Sequence, residues 1–203
     1  MENKRLVLVM ALPVINFIIF FFLISKIADI SLYDSFGYAI TATLFEILVF
    51  KKWLWKIPIL QKITKINNIQ GIWTGKIVSN YDNKEHIIEE VIIKQSFNKY
   101  KIVLSTKESR SYSDINEISI NEFDRMELQY MYKNEAPVNL REKNPMHFGV
   151  ANLEYKDNKL IGTYWTDREI KGGRNTRGTM ELQRTNKRGN FDLISILDIF
   201  DIF

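Results

Sequence analysis

The segment "RMELQYMYK", Arg125–Lys133, decides the fold. Met126, Leu128, Tyr130 and Tyr132 alternate with Arg125, Glu127, Gln129 and Lys133. One side of the segment is therefore apolar or aromatic and the other polar. A repeat of two belongs to a strand, whose successive side chains leave on opposite faces; a helix repeats every 3.6 residues. Moving outward, "NKYKIVLST" sets Tyr100, Ile102 and Leu104 mostly against Lys101, Ser105 and Lys107, and "TMELQRT" sets Met180 and Leu182 against Thr179, Glu181 and Gln183.

Eight such runs follow one another: 69–79, 86–96, 99–107, 110–120, 124–133, 147–155, 159–166 and 177–186. Turn chemistry joins them, as in "YDNKE", "FNK", "NEFD" and "KDNK". Two connections are longer: "NEAPVNLREKNP", where Pro137 and Pro145 bar regular strand, and "DREIKGGRNTR" with Gly172 and Gly173. No helical segment interrupts the series, so the strands form an antiparallel meander. Closing eight strands removes both sheet edges and leaves an interior that side chains fill or one small ligand occupies. The predicted fold is an all-β, eight-stranded antiparallel up-and-down barrel over residues 69–188.

Upstream the character changes. Leu6–Ile24 carries no charge, and Leu32–Phe50 is nearly as apolar, with Asp34 near its start and Glu46 inside it. Both are long enough to cross about 30 Å of hydrocarbon. The first is too long for a signal peptide and lacks a small-x-small cleavage site. The expectation is two transmembrane α-helices over residues 1–52. Lys4 and Arg5 precede them, Lys51, Lys52, Lys56, Lys62 and Lys65 follow, and Lys26 alone lies between, which places both termini in the cytoplasm. Trp53 and Trp55 suit an aromatic belt at that exit, and residues 53–68 read as a basic linker drawn to an anionic leaflet. Asn16 and Glu46 are costly in hydrocarbon and call for protein partners. Ser35, Ala39 and Thr43 form one small ridge and Gly37 with Thr41 another, which serves packing within this hairpin or between hairpins. The tail, 189–203, spaces Asp192, Ser195, Asp198 and Asp201 three apart on an otherwise apolar segment, a pattern suited to packing on the barrel or on another subunit.

Catalytic chemistry has little support. "GIWTGK", Gly71–Lys76, has three residues between its glycines and Ile77 after the lysine, so it is not a Walker loop. With no cysteine there is no disulfide, thiolate nucleophile or thiolate metal site. His86 and His147, the only histidines, show no ligand spacing. Neither an enzyme, a metal nor a cofactor is expected, and the net charge of +4 gathers beside the membrane segments rather than forming a site for a DNA or RNA polymer.

Binding chemistry has more. Tyr100, Tyr112, Tyr130, Tyr132 and Tyr164 fall in strands, several on the face assigned inward, with Trp73 and Trp165 beside them. Aromatic faces stack nucleobases or simply fill a core. Arg168, Arg174 and Arg177, with Lys171, lie in the glycine-jointed loop, and Arg110 and Arg184 occupy strand positions from which an inward side chain would meet an anion. Guanidinium forks grip phosphates. An apolar ligand is the alternative, and it requires a lumen without arginine.

Two amino-terminal membrane helices, a cytoplasmic linker and a β-rich domain that starts with "GIWTGKI" and closes on "GTYWT" and "RGTMELQR" resemble the two-transmembrane, β-barrel effectors of CBASS anti-phage operons (SMODS-associated, β-strand-rich). The resemblance implies a lipocalin-like barrel that senses a cyclic oligonucleotide, usually a cyclic dinucleotide. It also implies a homo-oligomer in the bacterial inner membrane that disrupts the bilayer in abortive infection. Tyr100, Arg110, Tyr112, Tyr130, Tyr132, Tyr164, Arg168, Arg174 and Arg177 are the candidate ligand contacts. Gly-x-Trp in the first strand is similar to the place where lipocalins close one end of the barrel, which implies a floor role for Trp73.

Overall fold

In the computed structural model the described residues are 4–27, 30–142, 144–170 and 173–185. The expectation for the tail 189–203 lies outside them. The chain divides into two compact units between Ile66 and Asn67.

The first unit holds helices α1 (Lys4–Ile27) and α2 (Leu32–Lys52), a 3-10 turn at Leu54–Lys56 and a short helix α3 (Pro58–Thr64). Ser31 starts α2 by accepting the Asp34 backbone N–H at 3.1 Å, which satisfies one of the donors that a helix start leaves open. The small ridge Ser35 and Ala39 is fully buried, whereas Gly37 has open space around it. Phe17 meets Phe36 edge to face at 5.6 Å between ring centroids. The Asn16 side-chain amide donates to Glu46 Oε1 at 2.5 Å, which gives each of two polar groups that apolar surroundings penalise one partner. Ile18, Phe22, Phe36, Leu44 and Phe45 remain exposed. By length and composition Leu32–Lys56 is long and apolar enough to cross a membrane, and Ala11–Ile27 is a shorter apolar helix.

The second unit is the barrel. Its strands are β1 (Gly71–Ser79), β2 (Glu85–Gln95), β3 (Tyr100–Ser105), β4 (Arg110–Ile120), β5 (Met126–Glu135), β6 (His147–Lys156), β7 (Lys159–Ile170) and β8 (Arg174–Arg184). Each pairs antiparallel with the next, and β8 pairs with β1 to close the ring. The predicted eight-stranded antiparallel barrel is what the chain forms.

One end of the barrel is apolar. Trp73, Ile69, Ile93, Met126, Leu128 and Leu182 lie there, all fully buried. The Trp73 indole N–H donates to the Ile69 carbonyl at 2.8 Å. The Arg184 guanidinium lies 5.4 Å from the Trp73 ring and donates to the Asn68 carbonyl at 2.9 Å and to that of Gln70. Gln95 completes this floor, accepting the Ile69 N–H at 2.8 Å and donating to the Asn67 carbonyl at 3.1 Å. Gly75 is a packing requirement here, since a Cβ on it would come within 2.9 Å of the Leu182 Cα.

Two expectations change. The glycine-jointed loop "DREIKGGRNTR" is mostly strand: β7 and β8 run on through the pairs Glu169↔Asn175 and Ile170↔Arg174, after a register shift that follows Trp165↔Arg177. Gly173, with φ 71°, adopts the left-handed backbone that favours glycine. The ladder between β3 and β4 is also short, limited to Val103↔Tyr112, Leu104↔Ser111 and Ser105↔Arg110. Beyond it, side chains replace backbone partners. Ser113 Oγ accepts the Ile102 N–H at 2.8 Å and Asn116 Oδ1 accepts that of Tyr100 at 3.4 Å, across a bulge at Asp114 and Ile115.

Candidate ligand site at the polar end of the barrel

The opposite end is built from the β1–β2, β3–β4, β5–β6 and β7–β8 connections, and its lumen face is polar. Among the described residues of the barrel, Ser79, Asn134, Asn144, Thr166 and Thr176 are buried polar side chains at this end, against Gln95 alone at the other. Burial of such groups requires hydrogen bonds. Asn134 accepts the Ser111 hydroxyl at 2.8 Å, Thr176 donates to the Arg168 carbonyl at 3.3 Å, and Thr166 accepts the Arg168 N–H at 3.1 Å.

Four of the five candidate tyrosines converge in the lumen. Tyr130 lies edge to face on Tyr100 with centroids 6.3 Å apart and tilted against Tyr132 at 6.0 Å. The Tyr100 hydroxyl, nearest the floor, donates to the Gln129 carbonyl at 2.8 Å. Tyr132 rests on Gly149, where a Cβ would run into its ring and hydroxyl. Tyr164 lies near Ser79, Asp82 and Arg168, each of which acts on its phenol. Burial pushes all four phenols above their ordinary range, so at neutral pH each hydroxyl keeps its proton.

Tyr112 and Arg110 do not join them. Tyr112 is 41 % exposed on the outer wall, because β4 turns Ser111 and Ser113 inward at this polar end, and the same alternation puts Arg110 outside, bonded to Ser105 Oγ at 3.2 Å. Trp165 likewise lies outside, 57 % exposed. Arg177 is exposed and outward, since its neighbour Thr176 takes the inward position. Arg184 supports the floor rather than an anion site. Arg174 begins β8 beside the turn.

Arg168 does reach the mouth. Its guanidinium donates to Asn144 Oδ1 at 3.2 Å and lies 5.4 Å from the ring of Tyr81. Tyr81, in the β1–β2 turn, escaped the sequence reading because a lone tyrosine in "NYDNKE" has no periodic partner. The mouth is not uniformly basic. The Lys84 backbone N–H, then His86, hold the Asp82 carboxyl below its usual range, and Asp167 accepts the Phe148 N–H at 2.8 Å.

This barrel coincides with a known domain. The model of the family "Cap15, cyclic dinucleotide receptor domain" matches residues 64–184, which take in all eight strands. The chain belongs to the Cap15 family of CBASS effectors. Similar proteins include a CD-NTase-associated protein 15 from Escherichia albertii, 30 % identical over 178 residues that cover 84 % of this chain and 90 % of that one. Another, from Staphylococcus schleiferi, is 27 % identical over 161 residues, covering 77 % and 88 %. The Cap15 match ends at Arg184, the residue that locks the floor, so the matched domain is the closed barrel from its entry segment to its last strand. Cap15 is by this description a receptor family rather than a family of known enzymes.

Proposed function

We propose that the polar end of the barrel binds a cyclic dinucleotide and that binding drives assembly of the amino-terminal helices in the bacterial inner membrane, which they then disrupt. One observation carries the reading: the domain matched as a cyclic dinucleotide receptor gathers Ser79, Asn134, Asn144, Thr166, Thr176 and Arg168 at one end, against the Gln95 amide at the other among its described residues. Neutral tyrosine, threonine and asparagine groups suit base edges and sugars, and a guanidinium suits a phosphate. An apolar ligand is less well served, because the apolar half of the lumen is occupied by Trp73, Leu128 and Leu182.

For the membrane part, support comes from Leu32–Lys56, from the apolar side chains that α1 and α2 leave exposed, and from the Asn16–Glu46 pair. Two spans with both termini cytoplasmic agree with the flanking lysines. A ligand shifts assembly only by its differential affinity for the assembled state, so a mouth that changes on binding is required.

The test uses the full chain in detergent and in vesicles, with a panel of cyclic purine and pyrimidine dinucleotides. The expected results are saturable binding of at least one, a rise in particle mass by light scattering, and release of trapped dye. Binding of none removes the receptor assignment. Binding with unchanged mass and no dye release leaves the receptor and removes assembly and disruption.

A further inference from the structure

The lumen tyrosines are packed against one another, so a base cannot slide between them without displacing the core. Stacking must come from elsewhere. We infer that Tyr81 and Arg168 form a rim clamp, in which the Tyr81 ring stacks one nucleobase and the Arg168 guanidinium meets the adjoining phosphate. This rests on the reading of the barrel as a cyclic dinucleotide receptor.

Tyr81 is 60 % exposed, yet it is not a loose turn residue. Asn80, before it, is tied to β8 by three hydrogen bonds: its N–H to the Arg177 carbonyl at 2.9 Å, its side-chain oxygen from the Arg177 N–H at 2.9 Å, and its amide to the Asn175 carbonyl at 3.2 Å. The Tyr81 N–H itself donates to Ser79 Oγ at 3.2 Å, in the lumen wall. On the other side Arg168 is oriented by Asn144, whose own N–H donates to the Leu140 carbonyl at 2.7 Å. Two connections, anchored to β7 and β8, thus hold one aromatic ring and one guanidinium together at the polar end. The barrel's stability does not need this arrangement, since the ring buries little. A ligand with a flat base beside a phosphate does, because a preordered ring and fork lose little freedom on binding it. The guanidinium also strengthens a stack by its charge against the ring face.

The test is calorimetric titration of the full chain in detergent with cyclic di-adenylate and cyclic di-uridylate, using Tyr81→Ala, Tyr81→Phe, Arg168→Ala and Arg168→Lys. Loss of one base stack weakens binding roughly 5- to 150-fold. Tyr81→Ala is expected to show that loss with an unchanged unfolding midpoint, and Tyr81→Phe to restore binding. Arg168→Lys is expected to bind more weakly than the parent, because an ammonium lacks the planar fork. If the parent binds a probe and Tyr81→Ala binds it equally well, the clamp is wrong and the receptor reading stands. If Tyr81→Phe is as weak as Tyr81→Ala, the hydroxyl and not the ring makes the contact, and the stacking claim fails. If the parent binds neither probe nor any other cyclic dinucleotide of the panel, the receptor reading fails, a result distinct from equal binding by the parent and Tyr81→Ala.

Discussion

The two ends of the barrel are built from the same strands with the same alternation, yet they do opposite things. At one end the buried inward side chains are largely apolar, Trp73, Val91, Ile93, Met126, Leu128 and Leu182 among them, and the polar groups Gln95 and Arg184 close the floor over backbone carbonyls and N–H groups. At the other, the inward positions carry Ser, Thr, Asn and tyrosine hydroxyls with small residues between them, and exposed Tyr81 leans on Arg168. Apolar packing supplies the stability, which frees the polar end to hold groups that cost stability but recognise a ligand.

That division is open to attack at its strongest point first. Trp73→Ala removes the largest floor side chain and its bond to Ile69, and is expected to cost about 3–5 kcal/mol in chemical unfolding. A cost below about 0.5 kcal/mol, the scale of a surface substitution, would show that the floor carries no special stability. Gly149→Ala comes next. Its Cβ would lie 2.8 Å from the Trp165 carbonyl and run into Tyr132, so overpacking is expected to cost about 1–3 kcal/mol and to impair binding at the mouth as well.

Alkaline pH probes the tyrosines between the two ends. The lumen phenols sit above their ordinary 10.0, so above pH 10 the folded barrel holds protons that the unfolded chain releases. Stability is full below pH 10 and falls as pH rises past it. Tyr130→Phe should make that fall shallower by up to about 1.4 kcal/mol per pH unit, read from unfolding midpoints across the range. The smallest effect is Arg184→Ala. The side chain is exposed, so its contact with Trp73 and its bonds to the Asn68 and Gln70 carbonyls are together expected to contribute about 1 kcal/mol, which a careful denaturant titration resolves.

Legibility in the sequence follows the same division. "RMELQYMYK" was readable because its inward residues, Met126 to Tyr132, are the apolar and aromatic ones, and all are buried. "RSYSDINEISI" misled for the converse reason. Period two reveals that a strand has two faces but not which is inside, and choosing the face by hydrophobicity fails where the lumen is polar. Ser111 and Ser113 face inward there, leaving Tyr112 and Arg110 outside, and the bulge at Asp114 and Ile115 then resets the alternation without a glycine or proline to announce it. Arg177, read as part of a glycine-jointed loop, instead lies on β8, where Thr176 takes the inward position. Tyr81 was illegible for another reason, because its role depends on an arginine far along the chain that only closure of the barrel brings near.

The central claim is that the ligand enters by the polar end. A photoreactive azido analogue of whichever cyclic dinucleotide binds, cross-linked to the full chain and mapped by peptide mass spectrometry, addresses it directly. Adducts within residues 79–86 and 162–177, competed by unlabelled ligand, are the predicted result. Competed adducts confined to residues 66–76 and 121–128, around the Trp73 floor, would contradict it.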